Sequence, residues 1–359
     1  MRAALGLAAR GLGNVWPNPA VGCVLVNDGH VVGRGWTQSG GRPHAETEAL
    51  RRAGAAAQGA CAYVTLEPCS HHGKTAPCVD ALIEAGISRA VVALKDPDPR
   101  VRGGGIKALR GAGLDVAVGT CGDEAAELNA GYLRRTERGL PLVTLKVATT
   151  LDGKIATHTG ESQWITGEGA RAAAHLLRAS HDAVMIGVGT ALADNPNLTC
   201  RLPGLEGRSP VRIVLDRRLR TPLTSKLVSS AAMAPTWIVT LAKADRERRK
   251  AYADAGVEMI TCAEDADGNL DMAAVLRALA EKGLTRVLAE GGSHVTAALL
   301  RSGLVDRMAW FRAPGVIGAD GISVAAGLGV EALGQMPRAQ RRKVRRFGED
   351  LLETFVFTT

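Results

Sequence analysis

The sequence predicts two α/β domains in succession, and three observations carry this. The chain has 359 residues, about two ordinary domains' worth. Hydrophobic residues make up 46% of it and charged residues 22%, a balance that supports packed cores and not disorder. Short apolar runs alternate with Ala-rich stretches, the pattern of sheets covered by helices on both faces. Aromatics are only 3%, so Ala, Val, Leu and Gly must fill these interiors.

Taken in order, residues 1–9 predict a helix stopped by Gly11 and Gly13, and Trp16-Pro17-Asn18-Pro19 a rigid turn. Residues 21–26 and 31–36 read as strands joined at Asn27-Asp28-Gly29, a hairpin signal. A helix over 46–57, a buried strand over 62–66, a helix over 79–85 ended by Gly86 and a strand over 90–94 follow. A short helix over 106–110, a strand over 116–118 and a helix over 124–133 close the first half. The charged run 134–139 lacks apolar periodicity and reads as a linker, giving domains 1–139 and 140–359. In the second half, strands are expected at 142–148, 183–186, 211–215, 236–240, 257–261 and 286–289. Helices are expected at 170–179, 272–281 and 295–301, with a terminal strand pair within 343–357 turning at Gly348-Glu349-Asp350. No internal repeat relates the halves.

Composition excludes several classes. The formal charge is +8, yet no segment interleaves aromatic and basic residues as a base-stacking surface would. The densest basic run, Arg338, Arg341, Arg342, Lys343, Arg345 and Arg346, reads as a solvated face. Neither a nucleic-acid nor a membrane partner is expected: no apolar run approaches the roughly 20 residues of a membrane helix. Seven cysteines, an odd number, argue against a full disulfide framework. The apolar stretch before Arg10 is too short for a signal peptide. A cytoplasmic homo-oligomer with reduced thiols and a small phosphorylated substrate is the expectation.

The first candidate site is His44, Glu46, Cys69 and Cys78. His44-Ala45-Glu46 stands just before a helix, Glu67-Pro68-Cys69 ends a strand, and Cys78 opens the next helix after Pro77. One imidazole and two thiolates suit zinc, with a fourth position left for water. Helix starts favour thiolates, and zinc lowers the pKa of bound water. Glu46 is placed to carry a proton from that water to a departing amine. Cys23, Cys61, Cys121, Cys200 and Cys262 read as inert core residues. His-x-Glu followed by Pro-Cys matches the zinc deaminase signature, except that His72 stands where its second Cys is expected.

That longer loop, Pro68-Cys69-Ser70-His71-His72-Gly73-Lys74-Thr75-Ala76-Pro77-Cys78, resembles the deaminase half of the bifunctional riboflavin-biosynthesis enzymes. Pro17-Asn18-Pro19-Ala20-Val21-Gly22 is similar to a second motif of that family; Ala76 in place of a proline is the departure. The resemblance implies a cytidine-deaminase-like α/β/α fold, zinc on His44, Cys69 and Cys78, Glu46 as proton shuttle, and Asn18, His71 and Lys74 on the substrate. Taken alone, Lys74 reads as a solvated charge.

The likeness continues through the second half, where it implies a dihydrofolate-reductase-like α/β fold. It rests on residues 146–154 and 160–166, Gly189-Thr190, Asp194-Asn195-Pro196, Leu198-Thr199 with Arg201, Glu290-Gly291-Gly292-Ser293 and Gly318-Ala319-Asp320-Gly321. Gly315 after Pro314, where the family often has Lys, is the departure. By residue type alone, Glu290-Gly291-Gly292-Ser293 reads as a glycine turn with Ser293 as helix cap. It also suits a phosphate at a helix start. Gly187-Val188-Gly189-Thr190 is no full dinucleotide fingerprint. The resemblance implies NADPH on Ala148, Trp164, Thr190, Asp194, Gly292, Ser293 and His294. It implies substrate on Ser162, Arg178, Leu198, Arg201 and Glu290. Arg178 and Arg201 suit phosphate, although Arg178 alone would equally fit an exposed helix face. Lys146 and Asp194 are the polar groups expected to help open the ribosyl group. Arg217, in Asp216-Arg217-Arg218, is expected to read the 2′-phosphate of NADPH, against the reading of a solvated turn.

The activities implied are zinc-dependent hydrolytic deamination of 2,5-diamino-6-(5-phosphoribosylamino)pyrimidin-4-one, then NADPH-dependent reduction of its ribosyl group. Two rivals stand beside them. A tRNA adenosine deaminase shares the His-x-Glu and Pro-Cys pairs but predicts neither the spacing of Cys69 and Cys78 nor a second domain. A structural zinc module would close the site with His72.

Overall fold

The computed structural model describes residues 1–73 and 76–357. It divides into two compact units, Met1–Leu140 and Pro141–Thr359. In the first, α1 (Arg2–Ala8) precedes the hairpin β1 (Gly22–Asn27) and β2 (His30–Trp36). Its turn holds Asp28 and Gly29 both at positive φ, 47° and 76°, as the Asn-Asp-Gly signal requires. Then follow α2 (Ala45–Ala53), β3 (Cys61–Val64), α3 (Cys78–Glu84), β4 (Arg89–Val92), α4 (Gly104–Gly111), β5 (Asp115–Val118), α5 (Gly122–Leu128) and α6 (Ala130–Arg138). The sheet order is β2-β1-β3-β4-β5, antiparallel through β3 and parallel beyond. Leu25, Val64, Leu82, Val92 and Leu109 are among its buried core.

The charged run 134–138 is not the expected linker but the body of α6. The helix expected over 124–133 is in fact two, α5 and α6, and α6 runs on through residues 134–138, which carry no apolar side chain to mark a helical period. Buried Asn129 separates α5 from α6, its side chain bonding both the N–H and the C=O of Ala20.

The second unit contains β6 (Leu142–Thr149), β7 (Lys154–Ala156), α7 (Glu168–Ala179), β8 (Ala183–Gly187), α8 (Val188–Asp194), β9 (Val211–Leu215) and α9 (Lys226–Ser229). After these come β10 (Thr236–Leu241), α10 (Arg246–Asp254), β11 (Glu258–Cys262), α11 (Met272–Glu281), β12 (Arg286–Ala289), α12 (Ser293–Arg301) and β13 (Arg307–Arg312). The unit ends with β14 (Ile322–Ser323), β15 (Ala339–Phe347) and β16 (Asp350–Phe357). The main sheet runs β11-β10-β9-β8-β12-β6-β13-β16-β15, parallel from β11 to β13 and antiparallel at its β16-β15 end. Val184, Ile186, Val214, Ile238 and Leu288 fill the core on one part of this sheet.

The basic run near the C-terminus is a strand, β15, exposed along nearly its whole length at the sheet edge. Among the described residues no helix is long and apolar enough to cross a membrane, and none of the seven cysteines is in a disulfide.

Candidate active sites

In the first unit the approach of α2 to β2 sets the site. A Cβ at Gly35 would lie 2.1 Å from the Ala45 carbonyl oxygen, and one at Gly33 2.4 Å from that of Ala49. Only glycine lets the helix lie this close to the strand. That places His44 at the cap of α2 and Glu46 in its first turn. Cys78 opens α3, and its N–H donates to Cys69 Sγ at 3.3 Å. His44 Nδ1 stands 3.3 Å from Cys78 Sγ and 3.6 Å from Cys69 Sγ.

All three atoms lie within 4.8 Å of one another. Zinc bonds of about 2.3 Å to sulfur and 2.0 Å to nitrogen, at tetrahedral angles, put ligand atoms roughly 3.5 Å apart, so this donor set fits zinc. His72 is exposed and outside the cluster. The Cys78 thiol holds Cys69 down to about 4 against the opposing effect of burial, and the same pairing pushes Cys78 up. Burial lifts the Glu46 carboxyl to about 6, while His44 beside it pulls the other way.

His44, Glu46 and Cys69 open onto a cleft of about 360 Å³ that Asn18 and His71 also line. His71 Nδ1 is buried there with no hydrogen-bond partner among the described residues, as suits a ligand contact. Lys74 lies outside the described residues. The cleft's far wall was not foreseen: Asp96, Asp98 and Arg100 after β4, and Tyr132 and Arg135 from α6. Burial lifts Asp96 to about 6, and the Tyr132 hydroxyl donates to its carboxylate at 3.0 Å. Buried Glu67 anchors this wall, accepting from the N–H groups of Asp96, Gly103 and Ile106 at 3.0–3.2 Å. Two Asp-Pro pairs, Asp96-Pro97-Asp98-Pro99, were the available signal of an ordered loop.

In the second unit four of the expected residues stand at the carboxyl ends of parallel strands, where open α/β sheets bind ligands. Ala148 is near the end of β6, Glu290 follows β12, Thr190 is in the first turn of α8 after β8, and Arg217 follows β9. Gly292, not Ser293, caps α12. No side chain caps that helix start among the described residues. A Cβ on Gly292 would lie 3.4 Å from Thr190 Oγ1, so α8 and α12 begin side by side. Ser293 and exposed His294 form the first turn of α12.

Glu290 is the electrostatic centre. Arg178 closes on it through Nε at 2.7 Å and Nη2 at 2.9 Å, and Lys146 Nζ lies 3.7 Å away. Burial alone would raise the Glu290 carboxyl, but Arg178 and Lys146 hold it down at about 2. The expected phosphate clamp at Arg178 is therefore corrected in one respect. Its fork is taken by a carboxylate, and Nη1 donates to the Thr199 carbonyl at 3.2 Å.

Leu198 is buried in the core, so only its backbone, at φ 54°, is available to a substrate. Arg201 is exposed and Ser162 half-buried, while Asp194 is exposed at the end of α8. Trp164 is 66% exposed with the Arg171 guanidinium 4.9 Å above its ring. Arg217 Nη1 donates to the Gly268 carbonyl at 2.6 Å, so the guanidinium braces a turn. Asp216 is fully buried, accepting from the N–H and hydroxyl of Thr221, and cannot reach a ribose. His175, which sequence reasoning missed, lies against Arg201.

Family comparisons cover both units. Residues 1–94 match the cytidine and deoxycytidylate deaminase zinc-binding region, and residues 141–352 match the RibD C-terminal domain. The riboflavin biosynthesis protein RibD of Aquifex aeolicus is 41% identical over 355 residues, 99% of this chain and 97% of its own. A structure of Acinetobacter baumannii RibD superimposes with a TM-score of 0.89 at 37% identity, covering 100% of this chain and 98% of that one. The diaminohydroxyphosphoribosylaminopyrimidine deaminase/5-amino-6-(5-phosphoribosylamino)uracil reductase of Thermotoga maritima gives 0.87 at 35% identity, covering 100% and 97%. These matches bear out a cytidine-deaminase-like fold followed by a dihydrofolate-reductase-like fold. They run through both units, which a tRNA deaminase with an accessory domain does not account for.

Proposed function

The chain belongs to the RibD family of bifunctional riboflavin-biosynthesis deaminases and reductases, and from that premise we propose how its residues divide the work. Residues 1–139 deaminate 2,5-diamino-6-(5-phosphoribosylamino)pyrimidin-4-one, and residues 140–359 reduce the ribosyl group of the product to ribityl. The observation that carries the reading is the cluster of His44, Cys69 and Cys78, with Glu46 opening onto the same cleft. Zinc held there supplies an activated water for the hydrolysis. A carboxylate oxygen of Glu46 takes a proton and returns it to the leaving amine. Asn18, His71 and Lys74 orient the pyrimidine and its phosphate.

In the reductase, NADPH supplies the hydride. Ala148, Trp164, Thr190, Asp194, Gly292, Ser293 and His294 form its bed, and Arg217 braces the turn at its far end. Ser162, the Leu198 backbone, Arg201 and Glu290 hold the substrate, with Arg178 fixing Glu290. Lys146, beside Glu290, and Asp194, at the end of α8, help open the ribosyl group.

The protein is expected to act in the cytoplasm as a homo-oligomer associating along exposed β15. The direct test of function is ammonia release and NADPH loss, followed together with the diaminopyrimidinone phosphate.

Two measurements test the assignments. Cys78→Ser should lose zinc while His72→Ala keeps one zinc per chain; the reverse pattern would put His72 in the ligand set in place of Cys78 and overturn the assignment. A 140–359 fragment should reduce the deaminated substrate with NADPH and sediment as an oligomer. A folded fragment that is inactive would show that the reductase depends on the first unit, and a monomeric one would remove β15 as the interface.

A further inference from the structure

We propose that His175, one turn before Arg178 on α7, is a positioning residue of the reductase: it holds segment 198–201 so that Arg201 meets the substrate phosphate. This rests on the reading above that Arg201 takes that phosphate.

The two residues are three apart on one face of α7, and both grip the same short segment. The His175 Nδ1 accepts from the Arg201 N–H at 3.3 Å. The His175 carbonyl accepts from Cys200 Sγ at 3.6 Å. Arg178 Nη1 donates to the Thr199 carbonyl at 3.2 Å. The segment needs holding, because Leu198 enters it at φ 54°, a left-handed conformation that a leucine rarely adopts.

The chemistry of the ring matters as well as its place. An N–H can be accepted at Nδ1 only while that nitrogen carries no proton, which puts the ring proton on Nε2. Burial first, then the Arg178 and Arg201 charges, push His175 below its ordinary value, while Glu290 and the Thr199 backbone pull it up. The neutral ring is thereby favoured beside two cations. With the Arg178 fork on Glu290, Arg201 is the arginine of this cluster left facing solvent, and His175 sets where its backbone sits. An alanine here would leave Arg201 present but unaimed.

The test uses the full chain and steady-state reduction of 5-amino-6-(5-phosphoribosylamino)uracil by NADPH. His175→Ala should raise KM for this substrate about 5- to 10-fold, the scale of one lost hydrogen bond. Its kcat and its KM for NADPH should stay within about twofold, as for a residue acting on ground-state binding. His175→Asn, whose side-chain oxygen lies near the Nδ1 position, should restore most of the loss. In the double variant with Arg201→Ala the effects should not multiply, since His175 acts through Arg201.

If Arg201→Ala raises KM and His175→Ala does not, the proposal falls alone. If Arg201→Ala leaves KM unchanged, the phosphate reading falls and takes the proposal with it. Multiplying effects, an Asn variant no better than Ala, or a lowered melting midpoint with KM unchanged would each overturn it in favour of a purely structural histidine.

Discussion

Glu46→Gln is expected to abolish ammonia release while leaving zinc content and ribosyl reduction at their original levels. Glutamine has nearly the shape of glutamate but cannot carry the proton. Removing a general acid–base costs roughly 10²–10⁴ in rate. The loss should fall on kcat, because Glu46 works on the reacting groups and the cleft keeps its other walls. Zinc should stay, because the ligand atoms are those of His44, Cys69 and Cys78 and Glu46 is not among them. Reduction should stay, because Lys146, Arg178 and Glu290 belong to the other compact unit. Three readouts on one preparation check this: ammonia release, metal content, and NADPH consumption with substrate already deaminated. Near-normal ammonia release would end the proton-shuttle role.

The two sites differ in how far the sequence disclosed them, for a physical reason. His44, Glu46, Cys69 and Cys78 sit at the start of α2, after β3 and at the start of α3, within 35 consecutive positions. Local rules about helix starts and strand ends therefore reach them, and the ligand spacing survives as a pattern of letters. The opposite wall of the same cleft did not show. Tyr132 falls in the expected helix but Arg135 in the charged run read as linker, and Asp96 matters only because the Tyr132 hydroxyl, 36 residues away, donates to it.

In the reductase the gap is wider. Arg178 and Glu290 are 112 residues apart and Lys146 comes from a third element, so the electrostatic centre exists only once β6 and β12 are neighbours. Motif resemblance named these residues without saying that they pair. The same limit applies to the fold. The terminal strand pair was expected from residue 343, but β15 starts earlier, at Ala339, where basic residues show no apolar alternation; α10, capped by Asp245, is polar except for buried Tyr252 and two alanines. Periodicity sees burial, and these elements bury almost nothing of their own.

Breaking the Arg178–Glu290 pair from one side should be the most damaging single change in the second unit. Glu290→Leu leaves a guanidinium in a site built around a carboxylate, with only the Thr199 carbonyl still accepting from it. Loss of one partner of a buried pair costs about 3–5 kcal/mol. For a unit of this size that is a fall of roughly 6–20 °C in melting midpoint, at about 2–4 °C per kcal/mol. Arg178→Leu should behave alike, stranding the carboxylate. The double variant should recover most of the loss, because two leucines bury no charge, and Lys146, 19% exposed at its side chain, can turn to water.

The pH dependence has a fixed sign. Glu290 is lowered from its ordinary 4.5 to about 2, so its stabilising contribution is complete above the unfolded value and is lost as pH falls towards 2. The single and double Leu variants should lack that acid-limb loss. Reductase activity should be absent in the two variants that lack Glu290, including the stable double variant, because Glu290 is proposed to hold the substrate, and lowered in Arg178→Leu, where Glu290 is present but no longer fixed. Thermal melts from pH 7 down to about 2, read beside NADPH consumption, separate the two roles. If the double variant is as unstable as the sum of the singles, the pair is not coupled and the electrostatic centre of the reductase must be sought elsewhere along the carboxyl edge.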